Sequence, residues 1–262
     1  MFLLIGVIDL WGRTGGIRED RAALLASNGF AVLALAFCGY KDLREKYGVL
    51  DFVYFEKAVD WLTTHTKVKS DGVALVGLCL GGALALGIAS QIPNKIKGVV
   101  SISGASVLIG CSLKCKDMTI SGYPIDLVAA DYAQYSTFVS IYKSKKSCKP
   151  GSASMVPVEN VTCPVLLVYG LADKLNPEIE WMCEQTFQHM EKHGKGSLCR
   201  RLGLSGAGHF LTPCYLPPST RQYAPKYDDE WFLGGEKHTQ AKASEIYWKE
   251  SLEFLRKCCL HS

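Results

Sequence analysis

The sequence has no basic stripe interleaved with aromatic residues, and its net charge is only +4 over 262 residues. It therefore carries no electrostatic footprint for nucleic acid. Internal repeats and low-complexity tracts are also missing, which excludes solenoids and arrays. The paired spacing of a disulfide scaffold is absent too. Eleven cysteines, an odd number, are scattered through a chain too long to need stapling. Cys111 and Cys115 stand close together without a second pair or a histidine cluster, so no zinc pattern forms, and neither a metal nor a redox cofactor is implied. Reduced thiols in an intracellular compartment fit this usage. The opening run MFLLIGVIDL lacks a basic leader and stops at Asp9, the length of a core strand and not of a signal peptide or membrane span. The end, Leu260-His261-Ser262, is not the S-K-L peroxisomal address, so the cytoplasm is the expected location.

What is present is apolar material: 48% of residues are hydrophobic, enough for one large α/β domain over residues 1–262. Leu3–Leu10 reads as a strand, followed by the glycine-rich loop Trp11-Gly12-Arg13-Thr14-Gly15-Gly16. Ile17–Ser27 has helical spacing and stops at Asn28-Gly29. Phe30–Phe37 is a continuous apolar run, as expected of a parallel strand covered on both faces. Asp51–Thr64, Glu178–His193 and Ala241–Lys257 have helical periodicity, while Gly98–Ser103, Pro164–Gly170 and Leu198–Leu204 have strand length. Strands alternating with helices predict a doubly wound, mostly parallel sheet. Between Ala105 and Pro157 the regularity breaks, leaving either an insertion that covers the active site or a solvated excursion. Gly206–Gly235 reads as a long loop rich in Pro, Gly and Tyr.

The chain is organised around Val73–Ala89, VALVGLCLGGALALGIA. A short apolar run stops at Gly77, Leu78-Cys79-Leu80-Gly81-Gly82 succeeds it, and an Ala- and Leu-rich helix comes next. G-x-C-x-G between strand and helix is the nucleophile-elbow signature, with sulfur in place of the serine oxygen. It sets Cys79 at a helix N-terminus, where orphan N–H groups and the dipole favour a thiolate. The alternative is a buried structural cysteine in a glycine-rich packing turn. A cysteine nucleophile needs a base, and the base an orienting acid; in this fold class they come in the order nucleophile, acid, histidine. Val165–Tyr169 runs into Gly170-Leu171-Ala172-Asp173, and Leu202–Leu204 into Ser205-Gly206-Ala207-Gly208-His209. Cys79, Asp173 and His209 thus reach the same sheet edge. Asp126, Asp131 and Glu178 remain alternatives for the acid. His65, His189, His193, His238 and His261 lie on or near helices and read as surface residues. Oxyanion donors are expected from the backbone N–H of Leu80 and from the loop at Trp11 or Gly12.

The block Ile8-Asp9-Leu10-Trp11-Gly12, the run Gly15–Ala26 and Gly29–Ala36 resemble the C-terminal catalytic domain of the acyl-CoA thioesterase/bile acid-CoA:amino acid N-acyltransferase family. So do Val156-Pro157-Val158-Glu159, Gly206-Ala207-Gly208-His209-Phe210 with Pro213 and Tyr215, and Gly234-Gly235-Glu236. The resemblance implies an α/β-hydrolase fold with the triad on Cys79, Asp173 and His209. It also implies a chain that begins at the third strand of the hydrolase sheet, without the family's N-terminal β-sandwich domain. Thioesterases of that family mostly carry serine at the elbow and its N-acyltransferases cysteine. The expected reaction is acyl transfer from a coenzyme A thioester, the substrate and not a bound cofactor. Hydrolysis of fatty acyl-CoA comes first, with conjugation to glycine or taurine as the alternative. A dienelactone hydrolase-like enzyme and an inactive remnant are the further rivals. Lys143, Lys145, Lys146 and Lys149 are candidates to meet the CoA phosphates or simply form a solvated loop.

Overall fold

Apolar strands flanked by helices bury both faces of a sheet when they lie parallel between two helical layers. The computed structural model, which describes residues 3–45, 48–123, 152–224 and 229–260, has that arrangement. In chain order, β1 (Leu4–Leu10) is followed by α1 (Glu19–Ser27), β2 (Phe30–Leu35), β3 (Val49–Asp51), α2 (Phe52–Thr63), β4 (Val68–Leu78) and α3 (Leu80–Gln91). Next come β5 (Ile96–Ile102), β6 (Ser112–Lys114), β7 (Thr119–Ile120), β8 (Val165–Gly170), α4 (Ile179–Lys192) and β9 (Cys199–Leu204). β10 (Arg221–Ala224), β11 (Asp229–Phe232) and α5 (Lys237–Leu260) complete the series.

Six strands form one parallel sheet in the order β2-β1-β4-β5-β8-β9. One row of partners crosses all of them: Leu33, Ile8, Leu75, Val99, Val165 and Cys199. Side chains alternate between two cores. Leu75, Val99 and Val165 pack with α2, α3 and α4, while Ala74, Val100 and Leu166 pack with α1 and α5. α3 is buried all round because the small sheet of β3, β6 and β7 covers its outer side, with Leu113 reaching Gly87. After β2 the chain returns past β1 to β4. The order reverses there, and the crevice beyond the C-terminal ends of β1 and β4 is the topological switch point. No helix among the described residues is long and apolar enough to cross a membrane.

Three sequence expectations need correction. Gly206–Gly235 is not all loop: β10 and β11 pair antiparallel within it, their polar faces having hidden the alternation. The stretch from Ala105 is not irregular throughout, because β6 and β7 are short strands recruited by β3 and by each other. β4 begins at Val68, five residues before the apolar run, because Lys69, Ser70 and Asp71 extend it at the partly solvated end of the sheet. The remainder of that insertion, residues 124–151, lies outside the described residues, with Asp126, Asp131 and the four lysines.

A buried ion pair fixes the end of β1. Arg21 on α1 holds Asp9 through Nε (3.0 Å to each carboxylate oxygen) and Nη2, and Nη2 also donates to the Leu10 carbonyl (3.1 Å). Both side chains are almost fully buried. Burial pulls Arg21 down, but the carboxylate of Asp9 more than restores it and keeps the guanidinium charged. Removing one partner strands a charge in the core. Arg21→Met and Asp9→Asn are each expected to lower unfolding free energy by about 3–5 kcal/mol, read from urea denaturation. A loss below about 1 kcal/mol would show the pair to be incidental.

Candidate active site

The turn between β4 and α3 is built by steric exclusion. Cys79 has φ 56° and ψ −119°, a conformation uncommon for a residue with a side chain. Such a bend requires backbone contact on both sides. A Cβ at Gly77 would lie 2.1 Å from the Gly81 carbonyl oxygen, and one at Gly81 2.4 Å from the carbonyl oxygens of Leu10 and Trp11. Side chains at either position would push the strand from the helix, which is why the elbow needs glycine there. The Cys79 N–H donates to Ile102 O at 2.7 Å, tying the elbow to β5. The cysteine side chain is left half-buried at the N-terminus of α3.

His209 sits on the turn after β9 and is buried, as is Asp173 after β8. His209 Nδ1 and Asp173 Oδ2 are 2.7 Å apart, and Asp173 Oδ1 accepts the Asn176 N–H at 2.7 Å. Carboxylate and imidazole are thereby oriented together. His209 Nε2 is buried, makes no hydrogen bond among the described residues, and lies close enough to Cys79 for the thiol's charge to act on the ring. The structure therefore brings Cys79, His209 and Asp173 together. Of the other acids considered, Glu178 sits just before α4, and Asp173 is the one bonded to His209. His65, His193 and His238 are exposed as expected, but His189 is half-buried and bonded to Glu159 at 2.8 Å. That contact links α4 to the turn before β8, away from Cys79. His261 lies outside the described residues.

Two further residues hold His209 and were missed in the sequence. Gln240 Oε1 accepts the Gly208 N–H (2.6 Å) while its Nε2 donates to Phe210 O (2.8 Å), so one buried amide straddles the histidine. Ser103 donates to His209 O at 2.7 Å from a position with φ 48°. The signal for Gln240 was a polar residue just before the expected helix start at Ala241. The helix begins at Lys237 and buries that residue. Trp11 and Gly12 come directly after β1. A Cβ at Gly12 would touch Cys79 Cβ at 3.2 Å, and Trp11 packs edge-on against Phe210 at 5.6 Å. The Leu80 N–H acts on the Cys79 thiol and helps to lower it. Of the residues expected to supply oxyanion donors, Leu80 and Gly12 lie beside Cys79, while Trp11 faces Gly81 through its carbonyl and Phe210 through its ring.

Electrostatics separate this cysteine from Cys111, Cys115, Cys183 and Cys199. Burial pushes Cys111 and Cys199 up to about 12, Cys115 to about 11, and Cys183 well above the ordinary thiol value. For Cys79 burial also acts upward. The His209 charge, its hydrogen bond, the Leu80 N–H and Arg13 outweigh it, and the net shift is downward. Burial pulls His209 down, but Asp173 and then the Cys79 thiolate raise it above the ordinary imidazole value. Each group thus favours the charged form of the other, the thiol moving down and the imidazole up. Beside Cys79 opens a small cleft walled by Leu80, Ala83, Ala105, Val107, Ile109 and Met182.

A parallel sheet with this strand order, a cysteine elbow at the switch point and a histidine beyond the last strand define an α/β-hydrolase. The puromycin-hydrolyzing peptidase of Mycobacterium tuberculosis superposes with a TM-score of 0.62 at 17% identity, covering 100% of this chain and 35% of that one. Residues 50–261 match the family model described as BAAT / Acyl-CoA thioester hydrolase C terminal, and the chain belongs to that family. Among its relatives, acyl-coenzyme A amino acid N-acyltransferase 1 of Mus musculus is 32% identical over 98% of this chain and 60% of its own length. Acyl-coenzyme A thioesterase 6 of Homo sapiens is 33% identical over 96% of this chain and 59% of its own. The chain thus spans about three fifths of the relatives it matches.

The electrostatic coupling of Cys79 and His209 has a measurable signature. Iodoacetamide should label Cys79 first at neutral pH, with a rate that falls as acid protonates the thiolate below the ordinary thiol range. In His209→Ala the lowering charge is gone while burial remains, so the midpoint moves to higher pH. An unchanged midpoint in that variant would show that the two groups do not interact.

Proposed function

We propose that this chain cleaves acyl-CoA thioesters through an acyl-cysteine, with Cys79 as nucleophile, His209 as base and acid, and Asp173 orienting the imidazole. The observation that carries the reading is the lowered Cys79 thiol, set against a histidine that is itself locked to a carboxylate. Family membership supplies the substrate class.

The Cys79 thiolate attacks the thioester carbonyl, and the oxyanion that forms takes the backbone N–H of Leu80 and one from Trp11 or Gly12. The carbonyl re-forms as the carbon–sulfur bond to CoA breaks, and His209 gives its proton to the departing CoA thiolate. Water then gives a proton to His209 and attacks the acyl-cysteine. The carboxylic acid leaves and the thiolate–imidazolium pair returns. No resident cofactor takes part in these steps. The beginning of the 105–157 segment borders the cleft through Ala105, Val107 and Ile109, which fits a pocket-shaping role for that insertion.

The second reading replaces water by the amine of glycine or taurine and yields an amide. The similarity to the mouse N-acyltransferase favours it. One assay separates the two. Long-chain or bile acyl-CoA is incubated with and without saturating amine, and the product is identified by mass. Free acid alone in both incubations would eliminate the transferase. Cys79→Ala and His209→Ala are expected to lower kcat/KM by about a thousandfold or more, and Asp173→Asn by less. Full activity in His209→Ala would overturn the assignment.

A further inference from the structure

The carboxylate of Asp173 holds two residues, one on each oxygen. Oδ2 meets His209 Nδ1, and Oδ1 accepts the backbone N–H of Asn176, each at 2.7 Å. Asn176 stands between β8 and α4, and its own carbonyl takes the Ile179 N–H at 3.1 Å. Its backbone is therefore pinned at both ends. The residue lines the cleft that Cys79 also borders and is only 2% exposed. Asn176 Nδ2 donates to Met182 Sδ at 3.5 Å, a weak acceptor, while Oδ1 is buried with no hydrogen-bond partner among the described residues. His209 Nε2 is likewise buried and makes no hydrogen bond among them. One carboxylate thus positions two residues, each carrying a buried polar atom that the chain itself leaves unmatched. Such an atom is disfavoured unless a donor from outside the chain relieves it.

We propose that Asn176 is a further catalytic residue: its Oδ1 accepts one hydrogen of the water that releases the acyl group, while His209 Nε2 takes the other. This rests on the acyl-cysteine mechanism proposed above and goes beyond it by naming what seats the water. Acylation uses Cys79 and His209 and has no need of Asn176. Once Cys79 is acylated and His209 has given its proton to the departing thiolate, Nε2 is an acceptor again. A water shared by Nε2 and Oδ1 has both hydrogens committed, which turns an oxygen lone pair toward the acyl carbonyl. In the step that follows, a carbon–oxygen bond forms and one water proton passes to Nε2. The carbon–sulfur bond breaks, and its electron pair returns to Cys79. The second hydrogen stays on the hydroxyl of the product acid, still bonded to Asn176. An amide oxygen accepts that hydrogen without removing it, so His209 remains the only base in the step.

The test separates the two half-reactions of the full chain with decanoyl-CoA and rapid quenching. CoA release reads acylation, and decay of the acyl-enzyme mass reads deacylation. Asn176→Leu keeps the size of the side chain and the backbone bond to Asp173 but offers no acceptor. It should slow deacylation by about tenfold or more, let acyl-Cys79 accumulate, and leave acylation within about twofold of wild type. Asn176→Asp, which keeps an acceptor oxygen, should recover much of the lost deacylation rate. An unchanged deacylation rate in Asn176→Leu would overturn the proposal while the thioester reading stands. So would an equal fall in both steps, or slower iodoacetamide labelling of Cys79 in both variants, since either marks Asn176 as merely structural. If the wild-type chain takes no acyl group from decanoyl-CoA, the thioester reading fails and p-nitrophenyl acetate, which needs no CoA pocket, decides for Asn176. The nitrophenolate burst then reads acylation and the steady rate deacylation, and a steady rate unchanged in Asn176→Leu refutes the role. A wild-type chain that gives no burst and no turnover with that ester refutes it as well.

Discussion

Much of the molecule depends on one crowded turn. Holding a side-chain-bearing residue at φ 56° costs about 1–3 kcal/mol and persists only where its surroundings over-determine it. Here they do. The Cys79 N–H is spent on Ile102, and the Leu10 and Trp11 carbonyls press on Gly81 from β1. A Cβ at Gly104 would meet the Cys79 carbonyl at 2.7 Å. Three adjacent strands, β1, β4 and β5, must keep their register for that conformation to survive. The same contacts set the Trp11–Gly12 loop against the thiol. The elbow and its facing backbone are therefore one steric unit, and the Asp9–Arg21 pair anchors its outer side.

The charge state of the sulfur depends on a second constraint, imposed from the other half of the sheet. Burial alone would raise a thiol and lower an imidazole, leaving both neutral. Both groups move the other way because each stabilises the other's charge and Asp173 supports the cation from behind. Such coupling falls off once the ring turns or withdraws, so the backbone of His209 must be immobile. It is held by Leu233 O at its own N–H (2.9 Å), by Ser103 at its carbonyl, and by Gln240 on both neighbouring peptides. These holders come from the segment after β5, the strand pair near the C-terminus and α5. Layers far apart in sequence thus converge on one ring.

The sheet was legible because its central strands are buried on both faces, which leaves apolar runs such as Val73–Leu78 and Val165–Gly170 in plain view. The elbow was legible because its glycines are dictated by backbone contact within a few residues. Cys79, Asp173 and His209 could be picked out in order because each comes just after a strand end. What escaped has a common cause. β6, β7, β10 and β11 are two to four residues long and exist through pairing with partners that no local pattern reveals. Gln240 and Ser103 are ordinary polar residues in sequence, and only the tertiary path of the His209 loop turns them into clamps. Asp9 looked like the end of an apolar run, yet it is half of a buried ion pair because α1 returns Arg21 across the strand end.

In the proposed mechanism, sulfur at the elbow also shapes the fate of the acyl-enzyme. A thiolate attacking a thioester exchanges one carbon–sulfur bond for another, so the first step is close to thermoneutral, and little binding energy is needed to drive it. The acyl-cysteine retains the reactivity of a thioester and not that of the less electrophilic ester a serine would form. It stays open to attack by an amine as well as by water. The elbow therefore does not choose between hydrolysis and amide formation; both are downhill from the same intermediate. The choice passes to whatever occupies the place from which His209 can remove a proton, and an ordered amine there gains the advantage of proximity over bulk water. In this chain the cleft beside Cys79 has mostly apolar walls. On this chemistry, selectivity lies in the second nucleophile's seat and not in the nucleophile of the enzyme.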